Sequence, residues 1–103
     1  MALTINTEQT ADGETTVFLG GRLDTITAPE LEAGLSDTIP NTEQLVLDLT
    51  DLEYVSSAGL RVLLKTHKEM SRKGGLRLIH VSNEVKEILG ITGFTNFLQI
   101  EDE

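Results

Sequence analysis

The segment from residue 44 to residue 81 constrains the fold most. Leu45-Val46-Leu47 is a nearly continuous apolar run within Gln44–Leu49, the pattern of a parallel strand buried on both faces. The spacing then predicts a helix over about residues 57–73. Leu60, Leu63, Leu64, His67 and Met70 recur with the 3.6-residue period, and Gly74-Gly75 stops it. Leu76 to Val81 reads as the next strand. A strand, a helix and a strand on short connections imply a crossover between parallel strands.

The flanks extend this unit. Leu3, Ile5 and Thr7 alternate with polar neighbours as a half-buried strand, and Asp12-Gly13 is a hairpin turn signal. Thr15 to Leu19 is a β-branched and aromatic strand ending at Gly20-Gly21. Arg22 to Ile26 reads as a loop. Thr27 is expected as an N-cap, with Pro29 in the first turn and Glu30 at the capping-box position. Leu31, Leu35 and Ile39 then mark a short amphipathic helix that breaks near Pro40. Thr50 to Ser56 reads as a second loop, with Leu52 and Val55 packed inward. Ser82 or Asn83 caps a third helix carrying Val85, Ile88 and Leu89, and Phe97 to Ile100 is a last strand. The expected architecture is one α/β domain spanning residues 1–103. It has a mostly parallel mixed sheet, an N-terminal antiparallel hairpin, and helices packed against the sheet.

Composition narrows the function classes. Leu, Ile, Val and Phe supply 32 of 103 residues, enough for one core without staples. With no cysteine, disulfides, thiolate catalysis and Cys-ligated metals are out of reach. The first residues, Met1-Ala2-Leu3-Thr4, lack a basic region followed by an apolar one, and no apolar run reaches the roughly 18 residues of a membrane span. A cytoplasmic location is therefore expected. The net charge of −9 disfavours sequence-independent binding of nucleic acid or anionic lipid. The acids are not spread evenly. Residues 1–56 hold eleven acids and one base, whereas residues 57–103 hold seven bases and six acids. Arg61, Lys65, Lys68 and Arg72 fall in a band about 60° wide on the predicted 57–73 helix.

Catalytic constellations are scarce. There is no P-loop, no G-x-G-x-x-G and no G-x-S-x-G. Asp24, Asp48 and Asp51 have no metal-loop spacing, so neither metal nor cofactor is expected. His67 and His80 fall in regular elements, where structural roles are expected. No His or acid is placed to activate Ser57 as a hydrolase nucleophile. The informative stretch is Ser56-Ser57-Ala58-Gly59 at the start of a helix. One of the two serines should cap it. The unpaired N–H groups and positive dipole end there also accommodate an anion, so a phosphate on Ser57 can be carried without unfolding the helix.

Two signatures carry a family resemblance. One is Gly21-Arg22-Leu23-Asp24-Thr25-Ile26-Thr27-Ala28-Pro29-Glu30-Leu31, similar to G-x-L-D-x-x-T-A-x-x-L after a second strand. The other is Leu45-Val46-Leu47-Asp48-Leu49 followed by Tyr54-Val55-Ser56-Ser57-Ala58-Gly59-Leu60, similar to a strand, a loop and a D-S-S-G-L helix start. With the element order, the chain resembles the STAS-domain anti-sigma-factor antagonists of bacteria. The resemblance implies a regulatory binding protein rather than an enzyme. Its partners would be an anti-sigma factor with serine kinase activity, whose binding releases a sigma factor, and a serine phosphatase. It makes Ser57 the phosphoacceptor and Asp24 the loop aspartate near it. Ser56 stands where the family usually has Asp, and Ala58 where it has Ser. A second reading within the resemblance is a non-phosphorylated STAS docking subunit of a transporter or larger signalling assembly.

The expected partner surface comprises Asp24, Thr25, Ser56, Ser57, Ala58, Gly59, Arg61 and Val62. Val62 lies roughly 140° from the centre of the apolar stripe. It is therefore expected on the surface, where Val62→Glu would leave stability nearly unchanged.

Overall fold

The structure, a computed structural model, describes residues 3–96 and 98–101. The elements are β1 (Leu3–Ala11), β2 (Glu14–Leu23), α1 (Ala28–Thr38), β3 (Gln44–Val55), α2 (Ser57–Met70), β4 (Leu76–Ile79), α3 (Asn83–Ile91) and β5 (Gln99–Glu101). They form one five-stranded sheet in the order β1-β2-β3-β4-β5. β1 pairs antiparallel with β2, and the other three pairings are parallel. The mixed sheet with an N-terminal hairpin is the expected one.

β3 is the central beam. Leu45 to Leu49 are all buried, as a strand covered on both faces requires. α1 packs against α2, α2 against β3 and β4, and α3 against β3. The core joins Leu23, Leu31, Leu47, Leu52, Leu63 and Leu78, each 2% exposed or less. Gly75 ends the α2 turn at φ +99°, a conformation that costs a side chain dearly, and its N–H returns to Met70 O. Lys73 then donates from Nζ to Ile39 O and Thr42 O. This cation satisfies carbonyls just past α1, whose own last turn has no basic residue.

Several boundaries differ from the sequence reading. Arg22 and Leu23 belong to β2, and residues 50–55 belong to β3 rather than to a loop. Their ladder is irregular, with register shifts between Phe18 and Gly20 and between Gly21 and Arg22. The polar run Thr50, Asp51 and Glu53 is exposed, while Leu52 and Val55 point inward as expected. Polar residues on the open side of an irregular strand look like a loop. β1 runs on to Ala11, α2 ends at Met70, and β4 stops at Ile79 because His80 turns to φ 56°. β5 begins at Gln99; Phe97, where the sequence reading started the last strand, lies outside the described residues. The 3-10 turn Ile39–Asn41 follows α1 as Pro40 implied.

Thr27 occupies the N-cap position of α1 without capping through its side chain. Its hydroxyl instead accepts from Asp24 N at 2.8 Å and donates to Arg22 O at 2.8 Å. Its carbonyl takes Glu30 N and Leu31 N. Ser82 does cap α3, accepting from Val85 N at 3.2 Å.

Candidate functional site

The start of α2 is fixed by main chain and small side chains. Ser56 leaves β3 extended, at φ −89° and ψ 176°, and caps the helix by accepting from Gly59 N at 3.4 Å. Its own N–H donates to Leu23 O at 2.8 Å, tying the helix start to the end of β2. Ser56 is thus the capping serine. Ser57, the first helical residue, is exposed, and its hydroxyl makes no side-chain hydrogen bond among the described residues. A helix's first N–H groups lack intrahelical acceptors, so this hydroxyl stands where negative charge is best tolerated.

The neighbouring 24–27 loop is equally determined. Asp24 Oδ1 accepts from Ile26 N and Thr27 N, both at 3.0 Å. The Thr27 N–H holds the Asp24 carboxyl below the usual carboxylate range; burial opposes it, and the Ile26 N–H, the Thr27 hydroxyl and the Arg22 charge add to the lowering. Asp24 is therefore a loop organiser with its charge retained. Thr25 is exposed and Ala58 half-buried. They share a crevice of about 310 Å³ between α1 and α2 with Ala28, Pro29, Arg61 and Val62. Arg22, at the end of β2, stacks 4.3 Å from the ring centroid of Tyr54.

Two expected surface residues are not on the surface. Val62 is 7% exposed and belongs to the core cluster. The buried positions of α2 are Gly59, Leu60, Val62, Leu63, Thr66 and Met70, whereas Leu64 and His67 are only half-buried. The buried face is rotated by roughly 60° from the apolar stripe read in the sequence. α1 covers that flank of α2, and Thr66 can be buried because its hydroxyl donates to Val62 O at 2.8 Å. Gly59 is also buried, against Leu23. Arg61, Lys65, Lys68 and Arg72 are exposed as the periodicity requires. Lys65 bridges to Glu32 on α1 at 2.6 Å. That contact raises the lysine's pKa, though exposed pairs of this kind contribute little.

A second polar cluster joins β3 to the end of β4. Asp48 Oδ1 accepts from the Thr50 hydroxyl at 2.6 Å and Thr50 N at 3.0 Å, and Oδ2 lies 3.0 Å from His80 Nδ1. Burial alone would push the Asp48 carboxyl up; Thr50 and His80 together outweigh it and hold the carboxyl below its ordinary range. The carboxylate sits in the middle, so this is a brace between strands and not a nucleophile–base pair. His67, ten residues beyond Ser57 along α2, is about 15 Å further down the axis and in no position to activate it. The pH consequence has a definite sign. A carboxyl with a depressed folded-state pKa contributes stability that is present above the unfolded value, near pH 4, and lost as pH falls through the folded one. Asp48→Asn should therefore melt lower than the parent at neutral pH, and the gap should shrink as pH drops below about 4. Melting curves from pH 7 to pH 3 check this.

The loop expected over Arg22 to Ile26 gives Ile26 no role of its own. The residue is 80% exposed, the side chain of a β-branched apolar residue held out by a locked turn. An apolar residue between two threonines ahead of a helix is the one sequence signal for it.

The comparisons with known proteins agree with this geometry. The family model described as the STAS domain matches residues 4–103. The Bordetella bronchiseptica protein BtrV is 36% identical over 91 residues, covering 86% of this chain and 78% of its own. The anti-sigma-B factor antagonist of Bacillus subtilis is 31% identical over 85 residues, covering 82% of this chain and 78% of its own. The crystal structure of an anti-sigma factor antagonist from Mycobacterium paratuberculosis superposes with a TM-score of 0.86 at 25% identity, covering 95% of this chain and 84% of the other. Unphosphorylated SpoIIAA has the same fold, with a TM-score of 0.82 at 18% identity over 97% of this chain and 88% of its own. No helix among the described residues is long and apolar enough to cross a membrane. The sheet order, the two signatures and these matches together make the chain a member of the STAS-domain family.

Proposed function

We propose that this chain is an anti-sigma factor antagonist acting in the cytoplasm. It binds an anti-sigma factor that is also a serine kinase and so releases a sigma factor. Phosphorylation of Ser57 ends the binding, and a serine phosphatase restores it. The observation that carries the reading is the division of labour between the two serines. Ser56 is spent on the helix cap, while Ser57 offers an exposed hydroxyl at the first position of α2. The names of the Bacillus and Listeria relatives support the antagonist role.

The chemistry follows from the helix end. A phosphate on Ser57 brings about −1.5 to −2 charges to a surface where helix N–H groups and the dipole favour anions. The fold tolerates the modification, and the change is felt by whatever docks there. Asp24, Thr25 and Ala58 form the rest of the contact surface, with Arg61 one turn beyond Ser57.

The test uses the serine-kinase anti-sigma factors of the source genome, purified and incubated with this chain and ATP. Phosphopeptide mass spectrometry is expected to place the phosphate on Ser57. Ser57→Ala should bind within about twofold of the parent and take up no phosphate, and Ser57→Asp should bind roughly tenfold more weakly, about 1.4 kcal/mol. Binding without any phosphate uptake would leave the docking-subunit reading in its place.

A further inference from the structure

The two edges of the sheet are built differently. β5 is three residues long and ends in Glu101, which Arg77 engages at 3.1 Å. A short, charged edge discourages further strands. β1 is nine residues long and contains no lysine, arginine or proline; its single charge is Glu8. The strand is nearly neutral although residues 1–56 hold eleven acids. Among the described residues β1 pairs with β2 alone, so one row of its N–H and C=O groups has no ladder partner. Asn6 to Ala11 are all exposed. The one register shift falls between Gln9 and Ala11, at the hairpin end, and leaves the ladder from Leu3 to Gln9 regular. β1 therefore lacks the devices that keep an edge from pairing.

We propose that β1 is a self-association edge: a second copy of this chain adds its own β1 antiparallel across a two-fold axis, joining two five-stranded sheets into one. Such a contact is isologous and closes on itself. Main-chain hydrogen bonds supply the attraction, and a β1 already held by β2 has little freedom left to lose on pairing. The axis stands perpendicular to the sheet, so side chains stay on their own faces and odd positions meet odd positions. Leu3 and Ile5 belong to the core side, which leaves Thr4, Asn6 and Glu8 on the open side. Charge then selects the register. An axis at Glu8 sets two carboxylates directly opposite each other, which is unfavourable. An axis at Asn6 sets Glu8 opposite the partner's Thr4 and Ile5 opposite the partner's Thr7. It also separates the two Glu8 side chains by about 13 Å along the strand. Half-buried Ile5 gains cover in this register. None of this depends on the antagonist reading.

The experiment is sedimentation velocity of the full chain from about 2 to 200 μM, at about 50 and 500 mM salt. The parent is expected to dimerise within this range. Its dimer should be tighter at high salt, because screening relieves the repulsion between two acidic chains and leaves main-chain bonds intact. Thr4→Glu sets a glutamate opposite Glu8 at both ends of the paired strands and should raise the dimer Kd at least about tenfold. Adding Glu8→Lys to that variant makes both pairs complementary and should restore the parent Kd to within about threefold. Both positions are exposed, so the dilute variants should melt close to the dilute parent. The chain has no cysteine, so Asn6→Cys reports on the axis. A short bismaleimide should link two chains through Cys at this position and not through Thr10→Cys. A parent that stays monomeric throughout overturns the pairing. So does a dimer indifferent to Thr4→Glu, or one that links through Thr10→Cys and not through Asn6→Cys. Hydrogen exchange separates the other occupant. Amides of β1 that stay unprotected in the concentrated chain, and become protected only when a purified anti-sigma factor is added, would give the edge to a foreign strand and overturn self-pairing.

Discussion

Replacing Val62 by glutamate should lower the melting temperature by about 15 °C or more, the reverse of what helical periodicity alone suggests. Val62 is 7% exposed and sits where α1 closes over α2. Losing its burial costs about 1.5–3 kcal/mol, and a carboxylate in its place must also be desolvated or must push the helices apart. Arg61 and Lys65 line the same crevice and can draw the carboxylate outward, which limits the damage but opens the α1–α2 contact. A total of about 3–4 kcal/mol is a large fraction of the stability of a domain this size. Val62→Ala, which only removes methyl groups, should cost about 1–2 kcal/mol. Thermal melts of the two variants decide the matter. A glutamate variant that melts with the parent would return Val62 to the surface.

The Val62 discrepancy shows what was legible in the sequence. The strand–helix alternation, the hairpin, the parallel sheet and the inward Leu52 and Val55 were all readable, because each follows from patterns within a few residues. The rotation of the buried face of α2 was not. It depends on α1 lying against one flank, and no residue of α2 records that neighbour. Thr66 hid it further, since a threonine reads as polar until its hydroxyl is seen to bond the preceding turn. The continuation of β2 past Gly21 and of β3 past Leu49 was hidden for a related reason. Exposed polar residues on an irregular ladder resemble a loop. At the site, the two-serine motif pointed to the right helix end, but which serine caps is a matter of backbone angle at Ser56. Ile26 went unnoticed because its prominence is a property of the locked turn, created by Asp24 and Thr27 together.

Gly59→Ala should destabilise the chain by about 1–3 kcal/mol, although the same change in an open helical position is favourable. The helix preference for alanine contributes up to about 1 kcal/mol in its favour. Against it, a Cβ at residue 59 would stand 2.6 Å from Leu23 Cγ and 3.1 Å from Leu23 O. Leu23 is 0% exposed, so its side chain has no free end to swing away. The main chain has no freedom either, because Leu23 O holds Ser56 N at 2.8 Å. The methyl group must therefore push α2 away from β2 or break the bond that seats its first turn. Gly34 in α1 is the control, since a Cβ there meets nothing within 4 Å. Gly34→Ala should raise the melting temperature by a few degrees, while Gly59→Ala lowers it by about 5–15 °C. The shifted helix start should also weaken partner binding, since the position of Ser57 relative to the 24–27 loop depends on that contact. Equal and positive shifts for the two glycines would mean that α2 can move off Leu23 without cost, and that the close approach at Gly59 does not hold the site together.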